Sequence, residues 1–333
     1  MLAQSNPKIH LTLNPFNPKT LKQSSNNRDV ISICIPIYNR EMCDTVRLLA
    51  NQAALAGMPC EIVCIDDCSD TCYREANRPL HGMCRYVELE RNIGRARIRN
   101  LFLQYARYDY LLFLDCDSLP PEGFLSRYAE VLRQKPRVVC GGRVYAAESD
   151  DREHHLRYAY GTRCESHTAA ERCQHPYKSF MTNNFIVHRE VLETIPFDER
   201  IALYGHEDTL FGYCLMQQGI PIVHIDNPVV NGDVETNSEF LRKTREGVRS
   251  LADIYEWKKD DPQFLQQVSL LDFYGKVRRL GLDAFAGWMY RLWRPVLEKE
   301  FLKGKHVSMK AFAFYKLGLF IQLNRNKAKV DDI

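Results

Sequence analysis

At 333 residues, 45% hydrophobic and 26% charged, the chain can bury a large core and form one to three domains of an ordinary soluble kind. No uninterrupted apolar stretch approaches the length of a membrane span, and residues 1–29, rich in Asn, Ser, Lys and Pro, lack the apolar centre of a secretory signal. The net charge of +3 is uneven: residues 275–333 carry 13 Lys+Arg against 5 Asp+Glu, and the remainder 32 against 37.

Residues 1–29 are expected to form a polar tail. From Val30 onward, short apolar runs alternate with amphipathic stretches, the pattern of βα units on a parallel sheet. Val30–Ile35 reads as the first strand, ended by Pro36, and Glu41–Ala56 as a helix stopped by Gly57. Glu61–Ile65, Arg85–Leu89 and Tyr110–Leu114 read as further strands, with a helix over Gly94–Tyr105. Glu122–Gln134 is expected to be helical, following the turn at Ser118-Leu119-Pro120-Pro121. Arg137–Tyr145 reads as a strand softened by Gly141-Gly142. Ala146–Lys178 is polar and is expected to be an irregular excursion of the lid type. A strand over Phe180–Val187, a short helix over Arg189–Thr194, a helix over His206–Gln218 closed by Gly219, and a strand over Ile220–Ile225 follow. Beyond Asn231 the periodicity is helical through Asn324. The twelve cysteines show no Cys-x-x-Cys or zinc spacing. Cys34, Cys64, Cys116, Cys140 and Cys214 lie in apolar runs, so the reading is reduced thiols in a cytoplasmic chain.

Three predicted strands end in polar residues, and in an open α/β sheet such ends line one crevice. The first ends in Pro36-Ile37-Tyr38-Asn39-Arg40. The second ends in Asp66-Asp67-Cys68-Ser69-Asp70, where an Asp can accept from the N3–H of a uracil or can simply cap a helix. The third ends in Asp115-Cys116-Asp117. Two hard carboxylates one residue apart suit Mg²⁺ or Mn²⁺ and, through it, a diphosphate, although a plain surface turn can have the same spelling. Arg95 and Arg99 stand one helical turn apart, either facing a diphosphate or lying on a solvated face. Glu207 and Asp208 follow Gly205-His206 at a helix start. They favour the helix dipole, and one of them could serve as a general base.

The ordered set IPIYNR, IDDCSD, RNIGRARIRN, LLFLDCDS, FMTNNF and GHED resembles glycosyltransferase family 2, inverting enzymes of GT-A fold that use nucleotide-diphospho-sugars. The resemblance covers about Val30 to Asn231. It implies a Rossmann-like α/β domain over residues 30–231, mostly parallel with helices on both faces, followed by a basic, aromatic helical region over 232–333. It also implies residue roles. Pro36, Tyr38 and Asn39 would border the nucleoside. Asp67, with Asp66 beside it, would read a uracil-type base. Arg99, with Arg95 on the same face, would approach the diphosphate. Asp115 would contact the ribose or the metal, and Asp117 would ligate a divalent Mn²⁺ or Mg²⁺. Asn183 and Asn184 would lie near the donor sugar, Asp208 would be the catalytic base, and Glu207 would orient the acceptor. Three positions depart from the family pattern. His206 and Cys68 stand where the family often has glycine, and Asn231 stands near the position where the family places a metal-ligating His, with Asp233 as an alternative ligand.

The function expected is transfer of a hexose from a nucleotide-diphospho-sugar, UDP-linked, to a saccharide or lipid-linked saccharide in surface polysaccharide synthesis. The alternatives are a sugar nucleotidyltransferase and a non-catalytic nucleotide-sugar-binding subunit. No nucleic-acid partner is expected. The C-terminal mixture of Arg278, Arg279, Trp288, Tyr290, Arg291, Trp293, Arg294, Phe301, Lys303 and Lys305 predicts docking on the inner, anionic face of a membrane, with a helical cap packed on the catalytic domain as the competing reading.

Overall fold

The structure, a computed structural model, describes residues 30–146, 152–201, 203–232, 234–303 and 307–331. The tail at 1–29, Asp233 and Lys305 lie outside the described residues. The chain opens with β1 (Ile31–Ile37), α1 (Cys43–Ala56), β2 (Cys60–Asp66), α2 (Thr71–Asn77), β3 (Arg85–Glu88), α3 (Arg95–Tyr105) and β4 (Tyr110–Leu114). It continues through β5 (Ser118–Leu119), α4 (Phe124–Leu132), β6 (Val138–Cys140), β7 (Arg143–Tyr145), α5 (His155–Tyr160) and α6 (Ala169–Gln174). Then come β8 (Asn184–His188), α7 (Arg189–Thr194), α8 (Glu207–Gln217), β9 (Ile222–His224) and β10 (Val229–Asn231). Five helices close it: α9 (Asn237–Lys258), α10 (Pro262–Gln267), α11 (Ser269–Arg279), α12 (Asp283–Lys303) and α13 (Met309–Asp331).

Seven strands form the main sheet in the order β3-β2-β1-β4-β8-β6-β9. All neighbours are parallel except that β8 runs antiparallel to both β4 and β6. The order turns around at β1, with β2 on one side and β4 on the other, so a crevice opens beyond their carboxyl ends. Period-2 alternation places Ile31, Ile33, Ile35 and Ile37 on the face covered by Val46 and Leu49 of α1 and by Phe124 and Tyr128 of α4. Cys34, Val63, Ile65 and Phe113 point to the other face, under Phe102 of α3 and Phe211 of α8. Each such isoleucine, wholly buried, contributes roughly 1.5–3 kcal/mol of transfer free energy.

Several expectations change. Pro36 does not end β1: it stays in register with Ile65 of β2. The Ile37 carbonyl accepts from Asp67 N–H at 2.8 Å, so Ile37 faces β2 and Pro36 faces the β4 side, where pairing has already stopped at Cys34. Its missing N–H therefore costs no ladder bond. The strand expected over 137–145 is two strands in two sheets. It breaks at Gly141 and Gly142, where φ of Gly142 is +90° and a Cβ on Gly141 would meet Asn184 at 2.4 Å. β7 joins a small sheet in the order β5-β10-β7, whose first two strands had no clear sequence signal. The polar excursion is not irregular in its described part. It contains α5 and α6, the latter started by a capping box between Thr168 and Glu171.

The C-terminal helices build a core of their own around Phe240, Leu251, Tyr290, Phe301, Phe312 and Tyr315. Helix α8 is shared, since Phe211 and Leu215 enter the sheet's core while Leu210 and Tyr213 enter the helical one. Helices α12 and α13 meet where Gly318 passes under Tyr290, and a Cβ there would lie 2.3 Å from the Tyr290 Cβ. Because that neighbour is the root of a fully buried side chain, Gly318→Ala is expected to destabilise the protein by about 1–3 kcal/mol, read as a lower urea midpoint. An unchanged midpoint would show that the two helices are not packed this closely.

Candidate functional site

The loops beyond β1 and β2 are tied to each other. Asn39, at φ +50°, donates its backbone N–H to Ser69 Oγ (2.9 Å), donates Nδ2–H to Asp70 (3.1 Å) and accepts Asp70 N–H on Oδ1 (2.8 Å). Asp66 is fully buried and accepts from Ser69 N–H (2.7 Å) and from the Tyr86 hydroxyl (3.2 Å). Its carboxylate holds the loop together beside Asp67. Asp67 does line the crevice, a cleft of about 210 Å³. It accepts the N–H groups of Ile93 (2.7 Å) and Gly94 (3.1 Å) at the start of α3. Burial raises its pKa above the ordinary carboxylate value, against the pull of those two N–H groups. Pro36 and the half-exposed Tyr38 line the same cleft.

Arg95 and Arg99 share one face of α3, as their spacing requires, and both line the cleft, Arg95 with its side chain 41% exposed and Arg99 buried. Arg95 donates to Glu207 (2.6 Å) and Asp115 (3.0 Å). Arg99, 1% exposed, donates to Asp115 (2.7 Å) and lies 3.7 Å from Glu207. Burial alone would raise both carboxyls, yet the two guanidiniums hold Asp115 and Glu207 below the ordinary carboxylate range. The arginines are thus engaged with protein carboxylates, and Glu207 is tied to α3 through them.

Asp115 N–H donates to the Asn183 carbonyl (3.0 Å), and the buried Asn183 Nδ2 has no hydrogen-bond partner among the described residues. Asn184 is different. Its Nδ2 donates to the carbonyls of Gly142 (2.9 Å) and Asn227 (2.8 Å), and its Oδ1 accepts from the Tyr128 hydroxyl (2.6 Å). The Asn184 amide is therefore engaged inside the sheet. Asp117 keeps about a third of its side chain exposed in the cleft, with Arg143 of β7 at 3.5 Å. The β5–β10 register sets Asn231 opposite Ser118, and Gly232 N–H donates to the Asp117 carbonyl (2.8 Å). The position expected for a third metal ligand is therefore beside Asp117. Among the described residues no three His, Cys, Asp or Glu side chains converge to hold an ion. The donor set fits a divalent cation held by one carboxylate and an amide oxygen, completed by an incoming diphosphate.

Asp208 follows a turn with φ +92° at Gly205 and +71° at His206. Thr209 donates its N–H to Asp208 at 2.6 Å, and among the described residues no cation lies within ion-pair distance of it. Burial first, and the Glu207 charge second, push Asp208 up to about 6. Two adjacent carboxylates are thereby driven apart, one held ionised by arginines and the other poised near neutrality. His206, pushed down to about 4 by burial, is neutral at physiological pH. The cleft has two further walls that sequence reading missed, Glu235 in the segment before α9 and Lys243 on α9, because nothing local marks which side of that segment and helix turns inward. A second cavity, of about 330 Å³ between Arg200, Leu203 and Trp257, has no such convergence of strand-end carboxylates.

Residues 32–195 match the model of the family described as glycosyl transferase family 2. The chondroitin synthase of Pasteurella multocida (strain Pm70) is 27% identical over 227 residues, covering 57% of this chain and 23% of that protein. The chondroitin synthase of Escherichia coli is 24% identical over 230 residues, covering 57% and 33%. The chain thus spans between about a quarter and a third of the length of these curated relatives. A mannosyltransferase from Pyrobaculum calidifontis, solved in complex with GDP-Man and Mn²⁺, aligns with a TM-score of 0.50 at 14% identity over 91% of this chain and 88% of that one. That likeness is one of fold.

Two of the three departures from the family pattern have a backbone reading: Cys68 (φ +62°) and His206 (φ +71°), where relatives of this kind often carry glycine, both sit in the left-handed region. The geometry is kept and its cost, about 1–2 kcal/mol per residue, is borne. Cys68→Gly is expected to hold or raise the unfolding midpoint, and Cys68→Val to lower it by about 1–2 kcal/mol. Equal losses for both would mean that the thiol's contact with the Glu90 carbonyl (3.4 Å), not the backbone, sets the preference.

Proposed function

We propose that this chain, which belongs to glycosyltransferase family 2 through residues 32–195, moves a hexose from a UDP-linked sugar to a hydroxyl of a saccharide or lipid-linked saccharide, with inversion. The observation that carries the reading is the split between Glu207 and Asp208, joined through the Glu207–Arg95 pair (2.6 Å) to the cleft that Arg95 lines at the sheet's switch point. A carboxylate with a pKa of about 6 is ionised at pH 7 and still has useful proton affinity, as a general base requires. Asp208 takes the proton of the acceptor hydroxyl as that oxygen attacks the anomeric carbon, and the bond to the diphosphate breaks on the opposite side. Asp67 reads the uracil N3–H, with Pro36, Tyr38 and Asn39 around the nucleoside. The unpartnered Asn183 Nδ2 is suited to a sugar hydroxyl or phosphate oxygen. A divalent ion, Mn²⁺ or Mg²⁺, would be held by Asp117 with Asn231 and supplies positive charge against the leaving diphosphate. Likeness to two chondroitin synthases supports a polysaccharide as the product class.

The C-terminal region supports a lipid partner. Among the described residues no helix is long and apolar enough to cross a membrane. On α12, Phe285, Trp288, Leu292 and Val296 recur along one face and are each 52–60% exposed, next to Trp293 at 48% and Leu280 at 71%. Arg278, Arg279, Arg291 and Lys303 are exposed near them. Tyr290 and Phe301, expected at the same surface, are instead buried in the helical core, and Arg294 pairs with Glu298 at 2.9 Å. So large an exposed apolar face marks an interaction site. Its basic flank selects an anionic bilayer surface over a second copy of the chain, which would bring like charges together.

Three variants test the catalytic reading. Asp208→Asn is expected to lower kcat by about 10²–10⁴ with donor affinity unchanged. Asp117→Ala should weaken Mn²⁺-dependent UDP binding by about tenfold or more. In the wild type, kcat/KM should rise with pH through an apparent value near 6, because the ionised Asp208 is the active form. The stability linkage has the opposite sign. A carboxyl raised in the folded state favours folding below its unfolded pKa, and that contribution is lost as pH rises through about 6, so Asp208→Asn should gain stability relative to wild type at pH 8. Loss of donor binding in Asp208→Asn would move this residue into the nucleotide site. For the lipid partner, co-sedimentation with phosphatidylserine/phosphatidylcholine vesicles should be salt-sensitive and absent in Trp288→Ser/Leu292→Ser. Equal sedimentation with phosphatidylcholine alone, or none with either, would remove the membrane from the account.

A further inference from the structure

The cations that line the cleft, Arg40, Arg95, Arg99 and Lys243, all have partners within the protein. Arg95 and Arg99 are engaged with Asp115 and Glu207. Arg143 lies between Asp117 (3.5 Å) and Glu165 (3.7 Å). A diphosphate leaving group needs cations aimed at it, and the expected arginine face is already shared by Asp115 and Glu207.

We propose that Lys243, on α9 and outside the segment matched by the family, is the protein cation that grips the donor's diphosphate, handed over from Glu235 when the donor arrives. Lys243 and Glu235 both line the cleft that contains Asp115 and Asp117. The two form an ion pair, and the Lys243 ammonium lies 5.4 Å from the centroid of the Tyr204 ring, on which Arg95 also stacks at 5.5 Å. Lys243 is partly exposed at 27%, so its four-carbon stem can swing. The neighbouring Phe240 and Leu241 are buried in the helical core and fix where α9 presents it. Glu235 has a second cation at hand: Arg157 lies 3.9 Å away and is itself held by Glu165 at 3.0 Å. Release of Lys243 therefore leaves no uncompensated carboxylate, which is the condition for a cheap exchange of partners. The donor site then extends beyond residue 231, and α9 is part of the catalytic unit.

This inference rests on the UDP-donor reading, and the test separates the two. UDP and uridine binding are measured by calorimetry and competition with Mn²⁺ present. If wild type binds neither, the donor reading fails. If it binds UDP, Lys243→Met should lose about tenfold or more in UDP affinity, the worth of one charge-assisted hydrogen bond, with uridine affinity and unfolding midpoint unchanged. Lys243→Arg should recover much of the loss, and Glu235→Gln should tighten UDP several-fold by removing the competing carboxylate. UDP affinity unchanged in Lys243→Met, or equal losses for UDP and uridine, would overturn the assignment.

Discussion

Two arginines one helical turn apart and two buried carboxylates hold the working parts of this molecule in register. Arg95 and Arg99 leave α3, Asp115 stands just past β4, and Glu207 opens α8. Four charges meet there within hydrogen-bond or ion-pair distance. Such a cluster adds little net stability compared with apolar packing, because Arg99, Glu207 and most of Asp115 had to leave water while Arg95 stays partly exposed. Removing the buried Arg99 leaves Asp115 and Glu207 with less compensation, at a cost of about 3–5 kcal/mol, whereas the exposed Arg95 contributes less because water screens it. What it contributes is position. The end of β4, and with it Asp117, is tied to the start of α8, and with it Asp208.

Helix α8 carries this tie into the rest of the fold. One of its faces packs on the sheet and the other on the C-terminal helices, so the candidate base sits at the join of two cores. The helical region is thus no appendage to a self-sufficient catalytic domain. It supplies a wall of the cleft through Glu235 and Lys243, and Ser250 of α9 donates to the Gly205 carbonyl (3.1 Å) in the turn that precedes Asp208. A face of α12 that does not join this packing remains exposed for another partner.

Functional turns in this chain keep a backbone that glycine would adopt more easily. Cys68 lies between the β2 carboxylates and Ser69, and His206 lies before Glu207. Both hold positive φ in loops that surrounding hydrogen bonds over-determine, the first through Asp66 to Ser69 and the zip to Asn39, the second through α8 itself. Local strain of this size persists only where neighbours fix the geometry.

Short-range chemistry was legible in the residues themselves. Apolar runs ending in Asp pairs marked the strands and the crevice beyond them, because a buried strand and the turn that stops it are contiguous in the chain. Arg95 and Arg99 were placed on one face by helical period alone, and Gly57 and Gly219 marked helix ends. Tertiary structure decided what those side chains were engaged with. Arg95 meets Glu207 across 112 residues, and no local pattern carries that pairing. Asp66 and Asn184 looked available until Tyr86, Tyr128 and the carbonyls around them took up their hydrogen-bonding capacity. Tyr290 and Trp288, two residues apart on one helix, went to opposite fates, one buried against Tyr315 and the other exposed. Composition specifies which groups a chain has. Only the packed neighbours determine which of them are already satisfied, and the groups that are not satisfied are those available for a ligand.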